Sequence, residues 1–186
     1  MTTDILTADA AIAETLPAWL VAELRTDHAG ETGAVAIYKG ALAVTKSSDI
    51  IAFSQNHLRT ETSHLREIET LIEPAKRSRL TPIWWALGWI TGAFPALLGP
   101  RAFFATIEAV ETFVDEHYQD QIDRLDAEDR CPEIRNLLDR LRLDEVAHRD
   151  DAHDHREGAP IPALLKPWLW LVDKGSRSAV AAARVI

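Results

Sequence analysis

The sequence predicts an all-α protein built around a four-helix bundle. Three observations predict it. No run of the 186 residues alternates apolar and polar with period two over the length of a strand. Four long segments instead repeat apolar residues every three to four positions, with prolines or short polar turns between them. With 47% apolar residues, the chain can bury one sizeable core and is short for two. Residues 17–186 therefore read as one domain behind an N-terminal tail, residues 1–16.

The first helix is expected from about Pro17 to Lys46, where Ser47, Ser48 and Asp49 supply a turn and the cap of the next helix. The second covers about Ile50 to Glu73 and stops at Pro74. The uncharged stretch from Leu80 to Pro100 follows. Its three prolines and three glycines disfavour a straight span, so it reads as a helical hairpin or interfacial helix, a flap on the bundle. A third bundle helix runs from about Arg101 to Ala127, a fourth from about Pro132 to Glu157, and a C-terminal helix lies beyond Pro167.

The formal charge of −9 argues against nucleic acid, which needs a basic face to displace counterions. The charge is unevenly spread. Between Pro74 and Ile107 stand Lys76, Arg77, Arg79 and Arg101 with no acid, and beyond Ala159 Lys166, Lys174, Arg177 and Arg184 face Asp173 alone. Two apolar, tryptophan-bearing segments, residues 80–104 and 161–183, thus carry basic flanks on an acidic body, which points to a membrane surface at headgroup level. The single cysteine, Cys131, excludes an intramolecular disulfide and thiolate-rich metal sites, and suits a reducing compartment. The first residues, acidic and without a continuous apolar run, read as neither secretory signal nor Arg-rich transit peptide. The expected location is peripheral, on the cytoplasmic face of the cell membrane or an equivalent inner-membrane surface.

Each bundle helix places a carboxylate on its apolar face. Glu31 lies within "LRTDHAGETGAVAIYKGALAV", and Ile107, Val114, Tyr118 and Ile122 surround Glu111. In the second helix Glu61 and His64 share the stripe of Leu58, Leu65, Ile68 and Ile72, and in the fourth Ile134, Leu138 and Leu141 lead to Glu145 and His148. The chain also repeats itself. Glu31 precedes Tyr38 by seven residues, Glu111 precedes Tyr118 by seven, and each half closes with Glu-x-x-His, 30 and 34 residues on. One such tetrapeptide is near chance; two in separate helices, each behind a core glutamate, predict two facing half-sites.

Four buried carboxylates require cations. Four carboxylates with two imidazoles form the oxygen–nitrogen donor set expected for iron or manganese, and the Glu/Glu-x-x-His arrangement is that of ferritin-like di-metal bundles.

The blocks "DHAGETGAVAIY", "ETSHL", "LLGPRAFFATIEAVE", "HYQDQI", "DEVAH" and "DHREGAP" resemble, in order, those of the demethoxyubiquinone (demethoxyquinol) hydroxylases of ubiquinone biosynthesis, over roughly Leu24 to Ile186. The resemblance implies a ferritin-like di-iron monooxygenase with two iron ions. It would hydroxylate the ring of a polyprenylated methoxy-benzoquinol with dioxygen and two electrons. By that match Glu31, Glu61, His64, Glu111, Glu145 and His148 carry over as metal ligands, the four glutamates being the catalytic set, with Glu61 and Glu145 bridging. The electron donor, NADH or the quinol pool, and homo-oligomerisation stay open. Pro95 stands where the family is expected to remain helical.

Other residues near the motifs carry plainer expectations. Tyr38 and Tyr118 read as packed aromatics with satisfied hydroxyls rather than partners of a ligand. His57 reads as a partly exposed residue at the core edge, and His153 and His155 as a solvated helix end. Asp144 is open between holding a ligand imidazole and a solvated charge, and Asp27 is equally open. Trp84, Trp85, Trp89, Trp168 and Trp170 are expected at the lipid interface, around a passage to Glu31 and Glu111. A ferritin-like iron-binding or ferroxidase protein would use the same six ligands without organic substrate, but gives the tryptophan-rich segments no use. A metal-free helical module at a membrane leaves the carboxylates unpaired.

Overall fold

The computed structural model describes residues 16–157 and 159–186, so all but the last residue of the expected tail lies outside the described residues. Among the described residues there are six α-helices, two short 3-10 turns and no strand. Helix α1 (Ala18–Val44) follows Pro17 and ends where Thr45 turns extended. Helix α2 (Ser48–Leu71) is capped by Ser47, whose hydroxyl accepts the Ile50 N–H, and Asp49 complements its positive end. It stops two residues short of Pro74. Helices α3 (Thr81–Leu98) and α4 (Pro100–Glu128) are separated by Gly99 alone, whose φ of 107° is one that side chains rarely adopt. Helices α5 (Pro132–His155) and α6 (Lys166–Ala183) complete the chain.

Helices α1, α2, α4 and α5 form the bundle. Its apolar core is in two parts. Ile37, Phe53, Phe103, Phe104 and Ile107 fill one, and Leu20, Leu24, Ile68, Ile122, Leu138 and Leu141 fill the other. At about 1.5–3 kcal/mol for each fully buried large side chain, these two clusters supply the driving force that lets polar groups be held between them.

The stretch from Leu80 to Pro100, read as a hairpin or an interfacial helix, is one helix, and Pro95 lies inside it. Pro95 stands in the last turn, after which the Gly99 N–H closes on the carbonyls of Pro95 and Ala96 and the helix ends. Gly88 and Gly92 are packing positions rather than breakers. A Cβ at Gly88 would overlap the backbone of Gly33, one at Gly92 that of Ile37, and one at Gly40 that of Trp89, so α1 and α3 cross with their backbones in contact. Of the segment expected on the membrane side, Ala102, Phe103 and Phe104 turn inward instead and are buried in the bundle. Helix α6 lies against α4 and α1.

Candidate metal centre

The six residues singled out from the sequence meet between the two apolar clusters, and all are buried. They fall into two sets, Glu31, Glu61, His64 and Glu145, and Glu61, Glu111, Glu145 and His148; within each, one donor atom per residue lies within 4.8 Å of the others. Glu61 and Glu145 belong to both. Both imidazoles present Nδ1 to the cluster: His64 lies 2.9 Å from Glu145, and His148 lies 2.9 Å from Glu61 and 3.0 Å from Glu145. The four helices bring these groups together because each carries its glutamate on the face that also carries its core residues.

The electrostatics are those of four crowded, buried carboxyls answered by two imidazoles. Burial, then the charges of Glu145 and Glu61, hold the Glu31 and Glu111 carboxyls well above the usual carboxylate range. Burial and Glu145 raise Glu61 as well. Burial also opposes ionisation of Glu145, but its hydrogen bonds with His148 and His64 outweigh that and bring it down to about 2. For His64 and His148 burial disfavours the charged ring, yet the adjoining carboxylates, Glu145 foremost, raise them to about 10 and about 11. Glu31 Oε2 and both oxygens of Glu61 are buried without a donor in hydrogen-bonding geometry. These orphaned oxygens, with two inward imidazole nitrogens and no thiolate, fit hard or borderline divalent metals, and the cluster is able to bind metal.

The surroundings differ from several sequence expectations. The Tyr118 hydroxyl donates to Glu31 Oε1 at 2.6 Å and the Tyr38 hydroxyl to Glu111 Oε1 at 3.3 Å. The tyrosines are thus partners of the cluster, and each serves the glutamate of the other repeat. His57 is buried rather than at the core edge, 4.2 Å from the His148 ring, with Nε2 on Asp151 at 2.7 Å. Asp144 does both things open to it: half-exposed, it stands 3.1 Å from His64 Nε2. Asp27 is fully buried and engages His117 and Gln121 instead of a cluster histidine. His117 and Gln121 were not singled out in the sequence, although they stand four apart on the same helix as Glu111, just as Asp27 and Glu31 do on α1. His153 and His155 are surface residues that pair with Glu108 and Asp151.

Beside the cluster lies a cavity of about 360 Å³ between α1, α3, α4 and α6, and Glu31, Glu61, Glu111 and Glu145 form part of its wall. Otherwise it is mostly apolar, and Leu87, Ile90 and Leu171 both line it and reach the surface. Of the five tryptophans expected at the lipid interface, only Trp85 and Trp170 are exposed. Trp84, Trp89 and Trp168 are half-buried; Trp84 and Trp168 line the cavity and donate to Ser78 and Thr106.

The family model of ubiquinone biosynthesis protein COQ7 matches residues 18–183. The chain belongs to this family. Its relatives include the 3-demethoxyubiquinol 3-hydroxylase of Rhodospirillum rubrum, 38% identical over 76% of this chain and 68% of that one. The mitochondrial NADPH-dependent 3-demethoxyubiquinone 3-hydroxylase of Caenorhabditis elegans is 32% identical over 98% of both, and that of Homo sapiens 35% identical over 84% of this chain and 73% of that one. The chain is accordingly an enzyme, a hydroxylase of ubiquinone biosynthesis. No helix among the described residues is long and apolar enough to cross a membrane.

Proposed function

We propose that this hydroxylase is a di-iron monooxygenase that places a hydroxyl on the ring of a polyprenylated demethoxyubiquinol, using dioxygen and two electrons. The observation that carries the reading is that two overlapping donor sets, sharing Glu61 and Glu145, form one wall of an apolar cavity open to the surface. Glu61 and Glu145 would bridge, Glu31 and His64 would complete one half, and Glu111 and His148 the other. Two iron ions held there supply the activation of dioxygen and the electrons for ring hydroxylation.

The chain's own residues do the rest. Tyr118 and Tyr38 fix the outer carboxylates, and Asp144 fixes the His64 ring. Val110, Val114 and Val172 keep water from the ring, and the prenyl tail leaves between α3 and α6 past Leu87, Ile90 and Leu171. Those residues continue into exposed Ile83, Trp85, Phe94 and Trp170, and Arg79, Arg101 and Lys166 are exposed with no acidic partner among the described residues. This surface suits peripheral binding to the anionic leaflet in which the substrate resides. Nothing in an iron-storage role uses such a cavity.

The test is iron analysis of the purified protein beside turnover of a prenylated demethoxyubiquinol. Two irons per chain and a hydroxylated ring are expected, and Glu61→Ala removes both. Full iron loading with iron oxidation but no quinol turnover would leave only the iron-binding reading.

A further inference from the structure

The cavity has one imidazole among the described residues that line it, His117 on α4, and its two ring nitrogens are differently placed. Nε2 is enclosed by Thr26 Oγ1 at 2.9 Å, Asp27 Oδ1 at 3.1 Å and Gln121 Nε2 at 3.2 Å. The Thr26 hydroxyl donates to the Glu23 carbonyl at 2.7 Å, so its oxygen is left to accept. Asp27 is an acceptor, already receiving the Gln121 amide at 2.8 Å and with no exposed side-chain surface. The Gln121 amide nitrogen, itself a donor, makes its shorter contact with Asp27, so the two acceptors, Thr26 and Asp27, hold the ring proton on Nε2 and leave the Nδ1 lone pair free. Nδ1 has no hydrogen-bond partner among the described residues and is not among the sealed, unpartnered atoms. The ring lies nearly parallel to that of Phe113, with centroids 6.0 Å apart and 11° between planes.

We infer that His117 Nδ1 accepts a hydrogen bond from a ring hydroxyl of the bound substrate, so that the cavity selects the reduced, quinol form. A quinol carries O–H donors. The corresponding quinone offers carbonyl oxygens only, which would face the Nδ1 lone pair without a proton between them. Asp27, Thr26 and Gln121 act through His117 as positioning residues, because they fix which nitrogen is the acceptor. The inference rests on the quinol reading of the cavity and adds the group that recognises the ring. It also gives a use to a buried polar network that lies outside the metal cluster.

Redox-silent probes test it on the iron-loaded enzyme: a short-tailed methoxyphenol, which keeps the O–H donor, and its O-methyl ether, which lacks it. Binding is read from the fluorescence of Trp84 and Trp168 at the cavity wall. A single neutral hydrogen bond predicts that the phenol binds about fivefold tighter than the ether. In His117→Phe the two probes should bind alike, with the ether within about twofold of its wild-type affinity. His117→Asn, whose amide oxygen can stand near the place of Nδ1, should restore part of the preference. Wild-type protein without preference, or an undiminished preference in His117→Phe, overturns the assignment of His117 and leaves the cavity reading intact. Failure of both probes to bind wild-type protein overturns the quinol reading beneath it.

Discussion

The helical pair α1–α2 and the pair α4–α5 carry the same donors in the same order, yet stand in different surroundings. In the first, His64 has a half-exposed carboxylate, Asp144, on its outer nitrogen. In the second, His148 lies against the buried ring of His57, which in turn holds Asp151. The helices that follow the two pairs differ as well. Helix α3, which follows the first pair, is fixed on α1 by backbone contact at Gly88 and Gly92, whereas α6, which follows the second, meets the bundle through side chains around the cavity. The repeat thus carries the donor set, and each half surrounds its own donors differently. The crossed tyrosines keep the halves dependent on each other, since Tyr38 serves Glu111 and Tyr118 serves Glu31.

The sharpest way to break the equivalence is at the shared residues. Glu61→Ala or Glu145→Ala should empty both halves and abolish hydroxylation, whereas Glu31→Ala should strip mainly the His64 half and retain a substantial part of the metal. Iron counts on the three purified variants check this, and equal loss in all three would show that the halves are not separable.

Metal removal comes next. Without metal, the folded state keeps Glu31 and Glu111 protonated above the ordinary carboxylate range, and holds protons on His64 to about 10 and His148 to about 11. It then binds more protons than the unfolded chain, so its stability falls as pH rises above about 4.5, and the contribution of the two histidines is lost by pH 10 to 11. Glu145 acts oppositely: its contribution is complete above its ordinary range and is lost as pH falls through about 2. Chelation should therefore lower the melting temperature, and by more at pH 9 than at pH 6. Parallel melting curves for the loaded and chelated protein over that range would contradict burial and the crowding of carboxylates as the origin of the shifts.

Asp144→Asn should distinguish the halves more gently. Loss of a carboxylate behind a metal-bound histidine weakens affinity by about 10- to 100-fold. Chelation of this variant should become biphasic, one metal leaving early, with the His148 half as in wild type. Gly92→Ala tests the flap of the first half. Its new methyl meets the Ile37 backbone, so a loss of about 1–3 kcal/mol is expected in chemical denaturation. An unchanged midpoint would mean that α3 can shift without cost.

The smallest effect is expected at the surface. Trp85→Ser with Trp170→Ser should weaken binding to anionic vesicles, and Trp84→Phe should not, because only the first two are exposed. Added salt should weaken binding further without abolishing it, at about 1 kcal/mol per basic residue near the headgroups. Equal binding by both variants would remove the exposed tryptophans from the membrane contact.

Sequence periodicity alone placed four bundle helices, the repeat with its doubled Glu-x-x-His, and the six residues that meet at the centre. These are local signals, since a helix shows its buried face in one turn's spacing and a glutamate on that face is visible wherever it occurs. What the sequence misjudged is what depends on a second helix. Gly88 and Gly92 resemble breakers until α1 is laid across them, and Pro95 resembles one until the helix is seen to end a turn later. Phe103 and Phe104 belong to an apolar run that reads as membrane-facing, and only the reversal at Gly99 turns them inward. The tyrosines pair across the repeat, His57 is covered by α5, and His117 acquires its tautomer from residues 90 and 91 positions away on α1. A hydrogen bond has direction and needs its partner at about 3 Å, so side-chain spacing along one helix specifies which groups are buried, and only the packing of helices decides which of them touch.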